Sequence, residues 1–425
     1  MKIKKIVSAI LFMGFVLSCA SCGLVQTKDT PVGTGRFEES GTESSKTSNT
    51  PTDLEPKDVR ISFAAAGDNL IHESVYNTAK ANATALAASG GPEMDYYFNT
   101  MYSENLQKII AGADIAFVNQ EAPIVPEYPA DGYPNFNTPT EAGDALVEIG
   151  FDIVNLANNH MLDMDGKCEG LRSTIEYWKT KNILPIGAYE SSEDYNTIRI
   201  MESKGKRIAV LSYTYGTNNN LNANSRDLVV PYINDSTIIE QVSRASENAD
   251  AVIVSMHWGT ENAFEPSSEQ KRLATLLSKY GADVVIGHHS HTLQPMEWVT
   301  NDAGDRTLVI YSLGNLISSQ VEAYKLVGGL ATFELVFSTD GKLTVENVML
   351  NPTVTHYSSD GSKRDGFGLP VRYDVSVGLL EDYNSDKCEA HGSQHPDLGG
   401  AFTLDTLKGY VTGAIDAQFL PEFLK

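Results

Sequence analysis

Ala251-Val252-Ile253-Val254-Ser255-Met256-His257-Trp258-Gly259 is a nearly unbroken apolar run that ends on an imidazole, an indole and a glycine. Apolar residues without alternation over that length suit a strand buried on both faces, as in sheets covered by helices. Helical periodicity flanks the run, over Ser236 to Ala249 on one side and Ser267 to Tyr280 on the other, and a further apolar run follows from Val284 to Ile286. Upstream, Val59 to Ala66, Ile115 to Val118, Ile153 to Leu156 and Arg207 to Tyr213 repeat the strand pattern, with helical patterns over Glu141 to Glu148 and Gly170 to Lys181. The order strand, loop, helix predicts an α/β sandwich. Thr307 to Tyr311 continues it, and Leu330 to Phe337 and Leu343 to Leu350 flank an Asp340-Gly341 turn, so a hairpin late in the chain makes the sheets mixed.

With 425 residues, 41% of them hydrophobic, the chain can bury one large or two ordinary domains. Asp and Glu outnumber Lys and Arg by 55 to 32, a formal charge of −23, which disfavours binding to nucleic acid or to an anionic membrane surface. Any anionic substrate needs a local cation to offset that field, and bound metal ions would supply one.

Residues 1–18 read as a lipoprotein signal peptide. Lys2, Lys4 and Lys5 precede an apolar stretch from Ile6 to Leu17, too short for an ordinary spanning helix. Val16-Leu17-Ser18-Cys19 resembles a bacterial lipobox, which makes Cys19 the expected lipidation site; Cys22 is a second candidate, and an ordinary secretory signal is the plainer alternative. Residues 19–57 are rich in Thr, Ser, Pro, Gly and Glu and are expected to be a disordered tether. The expected location is the extracellular face of the bacterial cell membrane, held by the lipid anchor. The folded domain is expected over 58–357, followed by a C-terminal extension, 358–425, with one or two helices between Ala401 and Leu420. Cys168 and Cys388 could pair in an exported protein, but neither has metal-ligand company. His356, His391 and His395 read as surface or loop residues.

The other six of the nine histidines fall in four short segments after apolar runs, the pattern of a metal site assembled from loops at strand ends. Asp68 follows Ala64-Ala65-Ala66-Gly67, where a sharp turn could aim a carboxylate across the sheet edge, although Gly-Asp is also a common turn. Glu121, directly after a strand, could bridge two metals or be an exposed loop acid. Asn158-Asn159-His160 could divide between metal binding and protonation of a leaving group, or be turn asparagines beside a structural histidine. His257 at a strand end is open to both readings, with Trp258-Gly259 suggesting a shielded corner. His289-Ser290-His291 is the most specific element, since two imidazoles two residues apart can reach neighbouring ions. His288 points the other way in an extended stretch and is expected to support the ligands, although the assignment could be permuted.

Taken in order, Gly67-Asp68, Asn119-x-Glu121-x-Pro123, Leu156-Ala157-Asn158-Asn159-His160, His257-Trp258-Gly259-x-Glu261, Gly287-His288-His289-x-His291 and Ser312-Leu313-Gly314-Asn315 resemble the motifs of the CapA family of poly-γ-glutamate capsule synthesis proteins. That family is similar to the calcineurin-like metallophosphoesterases. The resemblance covers roughly residues 60–320 and implies a metallophosphatase-like four-layer α/β/β/α sandwich of two mixed sheets. It also implies two divalent ions, Mn, Zn or Fe, on Asp68, Glu121, Asn159, His257, His289 and His291, which would activate water for in-line attack. His160 would face the leaving group as general acid or charge stabiliser. Glu261 and Asn315 would orient ligands, and Asn119, Asn158, His288 and His72 would support ligands or substrate.

The chain departs from the family pattern at Ser290, where proline is common, a change expected to loosen the turn and keep the ligands. Ile71-His72-Glu73 stands where an arginine often follows Gly-Asp, so His72 could replace a phosphate-clamping cation or have no role. Relative to the wider phosphoesterases, Gly-Asp replaces Asp-x-His, which implies one ligand fewer and a weaker second ion. Three functions fit: a surface-anchored hydrolase of phosphoesters or related bonds in envelope polymers; a non-catalytic capsule assembly or export component that depends on membrane synthase proteins; and a binding lipoprotein with vestigial ligands.

Overall fold

The computed structural model describes residues 57–167, 169–219 and 227–425. The signal segment, Cys19, all but the last residue of the tether and Cys168 lie outside the described residues. Fourteen strands and nine α-helices are described, with short 3-10 turns between them. The strands are β1 (Val59–Asn69), β2 (Ile115–Gln120), β3 (Ile153–Asn155), β4 (Leu184–Ile186), β5 (Arg199–Ser203), β6 (Lys206–Thr214), β7 (Ala251–His257), β8 (Val284–His288), β9 (Leu293–Thr300), β10 (Arg306–Leu313), β11 (Asn315–Ile317), β12 (Val327–Phe337), β13 (Leu343–Ser358) and β14 (Tyr373–Leu379). The helices are α1 (Glu73–Ala88), α2 (Glu104–Gly112), α3 (Thr140–Ile149), α4 (Gly170–Lys179), α5 (Ser192–Asn196), α6 (Asp235–Asn248), α7 (Ser268–Lys279), α8 (Ser385–Ala390) and α9 (Leu404–Ala414).

Strand alternation decides the layering. The first sheet runs β14-β13-β12-β1-β2-β3-β4 with β11 beside β1, and the second runs β5-β6-β7-β8-β10-β9. In the second sheet, Ile208, Val210, Ile253, Ile286 and Ile310 share one apolar cluster with Phe63 and Phe117 of the first sheet. Their neighbours Ala209, Leu211, Val252, Val254 and Val309 point the other way and pack with Ile238 and Val242 of α6 and Leu273 and Leu277 of α7. Val75 of α1, Leu106 and Ile110 of α2, Leu146 of α3 and Trp178 of α4 join the large cluster. Two mixed sheets therefore lie between helices, the expected α/β/β/α order.

Parallel pairing aligns the strand ends that carry polar residues. Asp68 lies opposite Asn119, and Asn119 opposite Asn155, at the carboxyl ends of β1, β2 and β3. Thr214, His257 and His288 align the same way at the ends of β6, β7 and β8. Gly67 is required by close approach, because a Cβ there would come within 2.0 Å of the Gly314 carbonyl oxygen.

The chain beyond 357 is woven into this body. β14 pairs antiparallel with β13 at the edge of the first sheet, with Thr353 opposite Leu379. Leu398, Phe402, Leu407, Val411 and Phe419 are buried in the large cluster. Their apolar spacing is broken by Gly399-Gly400 and short single turns, which hides the pattern in sequence. α9 lies inside the expected helical stretch. Of the two readings of His391, surface or loop, the loop holds, since it follows α8, and the surface does not: it is buried, its ring lies parallel to Phe402 at 3.8 Å, and Ser393 N donates to its Nδ1. Burial lowers its pKa to about 3. His356 is half-buried, with Nδ1 2.6 Å from the Tyr383 hydroxyl, so it too is a packed residue.

Candidate metal centre

The carboxyl ends of both sheets converge on one buried cluster. Asp68, Glu121 and His257 are fully buried, and His289 and His291 are at most 4% exposed. Glu121, His257 and His289 each offer a ligand atom within 4.8 Å of the others, and so do Asp68, Glu121 and His291. The two triads share Glu121, the one carboxylate common to both.

Hydrogen bonds fix these groups from behind. Asn119 Nδ2 donates to Asp68 Oδ1 at 2.8 Å and to Glu121 Oε2 at 2.6 Å, holding the two carboxylates side by side. Asn155 Nδ2 donates in turn to Asn119 Oδ1 at 2.8 Å. His291 Nδ1 lies 3.0 Å from Asn315 Oδ1 and 3.1 Å from Asp68 Oδ2, which leaves Nε2 on the side of Glu121 Oε1. Asn159 Oδ1 lies 2.8 Å from His257 Nε2, and its amide nitrogen donates to Asn218 Oδ1, so the Asn159 oxygen is the atom presented to the cluster. His288 Nδ1 lies 3.2 Å from Asp68 Oδ1 and its ring stacks on Phe117, a supporting position. His289 and His291 take φ of 94° and 56°, a left-handed backbone that a β-carbon disfavours, and their packed surroundings hold it.

The donor set fits a cation. Glu121 Oε1, His257 Nδ1 and His289 Nδ1 are buried without hydrogen-bond partners, and leaving such groups unmatched is costly. Burial acts to raise the Asp68 carboxyl, but His288 and His291 beside it outweigh that and hold it well below the usual range. Burial and the neighbouring Asp68 charge push the Glu121 carboxyl well above its usual range. His289 is lowered to about 3, chiefly by burial and then by His291, and burial also lowers His257. Two imidazoles held neutral, His257 and His289, beside the Asp68 carboxylate and the buried Glu121 carboxyl offer lone pairs to a positive charge. Carboxylate oxygens with imidazole nitrogens suit zinc, manganese or iron.

His160 stands beside this set. Its Nδ1 is 2.7 Å from Asp163 Oδ2, and its ring meets Phe136 edge-on at 4.8 Å. Asn158 Oδ1 accepts from His160 N, and its amide nitrogen donates to Gln120 O, so Asn158 shapes the loop. The structure does not bring every expected residue inward. Glu261 is exposed, and among the described residues no hydrogen bond joins it to a ligand, so it acts on Glu121 only through its charge. His72 begins α1, accepts from Ser319 N and packs edge-on against Phe136, outside both triads. Asn155, Asp163, Asn218 and Tyr215, whose ring lies 4.5 Å from that of His289, were not evident from sequence. The i, i+3 spacing of His160 and Asp163 and the strand-end position of Asn155 were the available signals.

The family model described as bacterial capsule synthesis protein PGA_cap matches residues 62–320. The capsule biosynthesis protein CapA of Bacillus anthracis is 31% identical over 235 residues, covering 53% of this chain and 54% of that protein. The PGA biosynthesis protein CapA of Bacillus subtilis (strain 168) is 31% identical over 219 residues, covering 51% of this chain and 56% of that protein. The chain thus spans about half the length of the curated relatives it matches. Among solved structures, the NAD nucleotidase NadN of Haemophilus influenzae aligns with 86% of this chain and 58% of its own at 13% identity and a TM-score of 0.40. A 5'-nucleotidase precursor from Thermus thermophilus aligns with 69% of this chain and 54% of its own, at 13% identity and a TM-score of 0.39.

Proposed function

The chain belongs to the bacterial capsule synthesis protein family PGA_cap, and from that premise we propose a surface-anchored, metal-dependent hydrolase acting on phosphoesters in envelope-polymer metabolism. The observation that carries this reading is the pair of buried triads sharing Glu121, with the His160–Asp163 pair alongside. Divalent ions held there would supply Lewis acidity to a phosphoryl group and activate water. Asp68, Glu121, Asn159, His257, His289 and His291 would hold them. Asp163 holds the His160 ring through Nδ1 with Nε2 on the opposite edge, from which the ring in its doubly protonated form would donate to a departing alkoxide. Phe136 packs against the ring and limits its rotation.

Metal content and turnover of the purified chain from Asp58 onward test the proposal. Near two equivalents of metal and hydrolysis of phosphoesters, both lost in a His289→Ala, His291→Ala variant, are expected; a folded protein that binds no metal would overturn it. Anchoring at Cys19 on the extracellular face is supported by Val16-Leu17-Ser18-Cys19, and Cys19→Ser should release the protein from the membrane fraction.

The names of the relatives, a capsule biosynthesis protein and a PGA biosynthesis protein, favour a second reading. Here the chain assembles or exports capsule polymer together with membrane synthase proteins and needs no turnover. A His160→Ala chain that keeps its metal and still supports capsule formation would select this reading.

A further inference from the structure

A groove of about 510 Å³ opens between the start of α1, the loop around Tyr133 and the segment 364–374. His72 lines it, and Phe136 packs edge-on against both His72 and His160, so a single ring links the groove wall to the His160 side of the candidate site. Tyr133 and Phe367, 60% and 64% exposed, are the most exposed large apolar side chains among the described residues, and their rings sit 5.9 Å apart on its wall. Phe367 is held at the tip of a tight loop: Asp365 Oδ1 accepts from Phe367 N at 2.9 Å and from Leu369 N at 3.0 Å. Leaving such rings in water is unfavourable unless a partner covers them.

Charge decides what that partner is. The wall carries Glu73, Asp131, Asp365 and Asp374 against Arg364 and Arg372. Both guanidiniums are already paired, Arg372 with Asp365 at 2.8 Å and Arg364 with Asp397 at 2.6 Å. A polycarboxylate would meet excess negative charge, with no free cation among the described residues of the wall. An uncharged ring bearing hydroxyls meets aromatic faces and carboxylate acceptors. Ser319 Oγ and Arg372 Nε, on lining residues, have no hydrogen-bond partner among the described residues.

We propose that this groove binds a glycosyl unit, the neutral sugar portion of a phosphoester whose phosphoryl group lies at the metal centre. This rests on the hydrolase reading for the phosphoryl position, whereas the sugar subsite stands on the groove alone. Much of it comes from residues 364–374, beyond the family-matched span, so ring selection is a property of this chain's own C-terminal segment.

Calorimetric titration of the zinc-loaded full chain with non-hydrolysable phosphonates tests the proposal. Glucose 1-C-phosphonate should bind about tenfold more tightly than methylphosphonate, as expected for one stacked ring. Phe367→Ala and Tyr133→Ala should each bring the ratio of the two affinities towards 1. Equal affinities in the unaltered protein would overturn the proposal, as would tighter binding of an adenosine 5'-phosphonate or of tri-γ-glutamate. Should methylphosphonate fail to bind and zinc be absent, the hydrolase reading fails instead. The subsite is then read by saturation-transfer NMR with maltotriose: transfer that is lost in Phe367→Ala supports it, and no transfer overturns it.

Discussion

Asp163 Oδ2 lies 2.7 Å from His160 Nδ1 and also accepts from Phe136 N at 3.0 Å, so one buried carboxylate sets both the imidazole and the ring packed against it. Asp163→Asn puts an amide where the carboxylate held the Nδ1 proton. Turnover is expected to fall by about 100-fold with metal content unchanged, the scale of a lost general acid. Steady-state rates beside elemental analysis of the same preparation check this.

Glu121 is common to both triads, whereas His289 belongs to one and His291 to the other. Titration of bound metal should therefore separate the variants. His289→Ala and His291→Ala should each lose one equivalent, and Glu121→Gln should lose both.

Asn119 donates to Asp68 and Glu121 and accepts from Asn155. Asn119→Ala leaves two buried carboxylates without their shared donor, at a cost of about 2 kcal/mol in the metal-free protein. Added metal should recover part of this through binding linkage, so the variant should melt higher with metal than without it, and its gap to the unaltered protein should narrow.

Asp283, in the turn before β8, accepts from Val252 N at 2.7 Å, and burial pushes its carboxyl up to about 7. Its folded pKa lies above the ordinary value of 3.8, so between those values the folded protein holds the extra proton. Stability from this group is present below the unfolded pKa and is lost as pH rises through the folded one. Asp283 retains some surface exposure, which limits the effect to about 1 kcal/mol. Asp283→Asn should raise Tm at pH 8 and change it little at pH 4, as thermal melts at the two values would show.

β1, β2, β3, β6, β7, β8 and β10 were legible because burial on both faces demands continuous apolar sequence, as in Ala251 to Met256, whereas the three-residue β4 and β11 were too short to register. Edge elements were not. β14 reads Tyr-Asp-Val-Ser-Val-Gly-Leu, half-exposed and polar enough to pass for a loop, and its place follows only from pairing with β13. α1 was hidden for another reason: its buried face is made of Ala79, Ala83, Ser74 and Thr78 around Val75, small residues that leave a weak periodic signal.

By itself the sequence supplied the candidate ligands, because the residue types that bind metals are few and each stood at the end of an apolar run. Tertiary structure alone decided which atoms meet. Glu121 is 136 residues from His257 in the chain but 3.5 Å from it in space, and the sharing of one carboxylate between two triads is a product of strand order and register. The same holds for Phe367 beside Tyr133, since contacts between distant loops are set by packing of the whole core and leave no periodic trace in either segment.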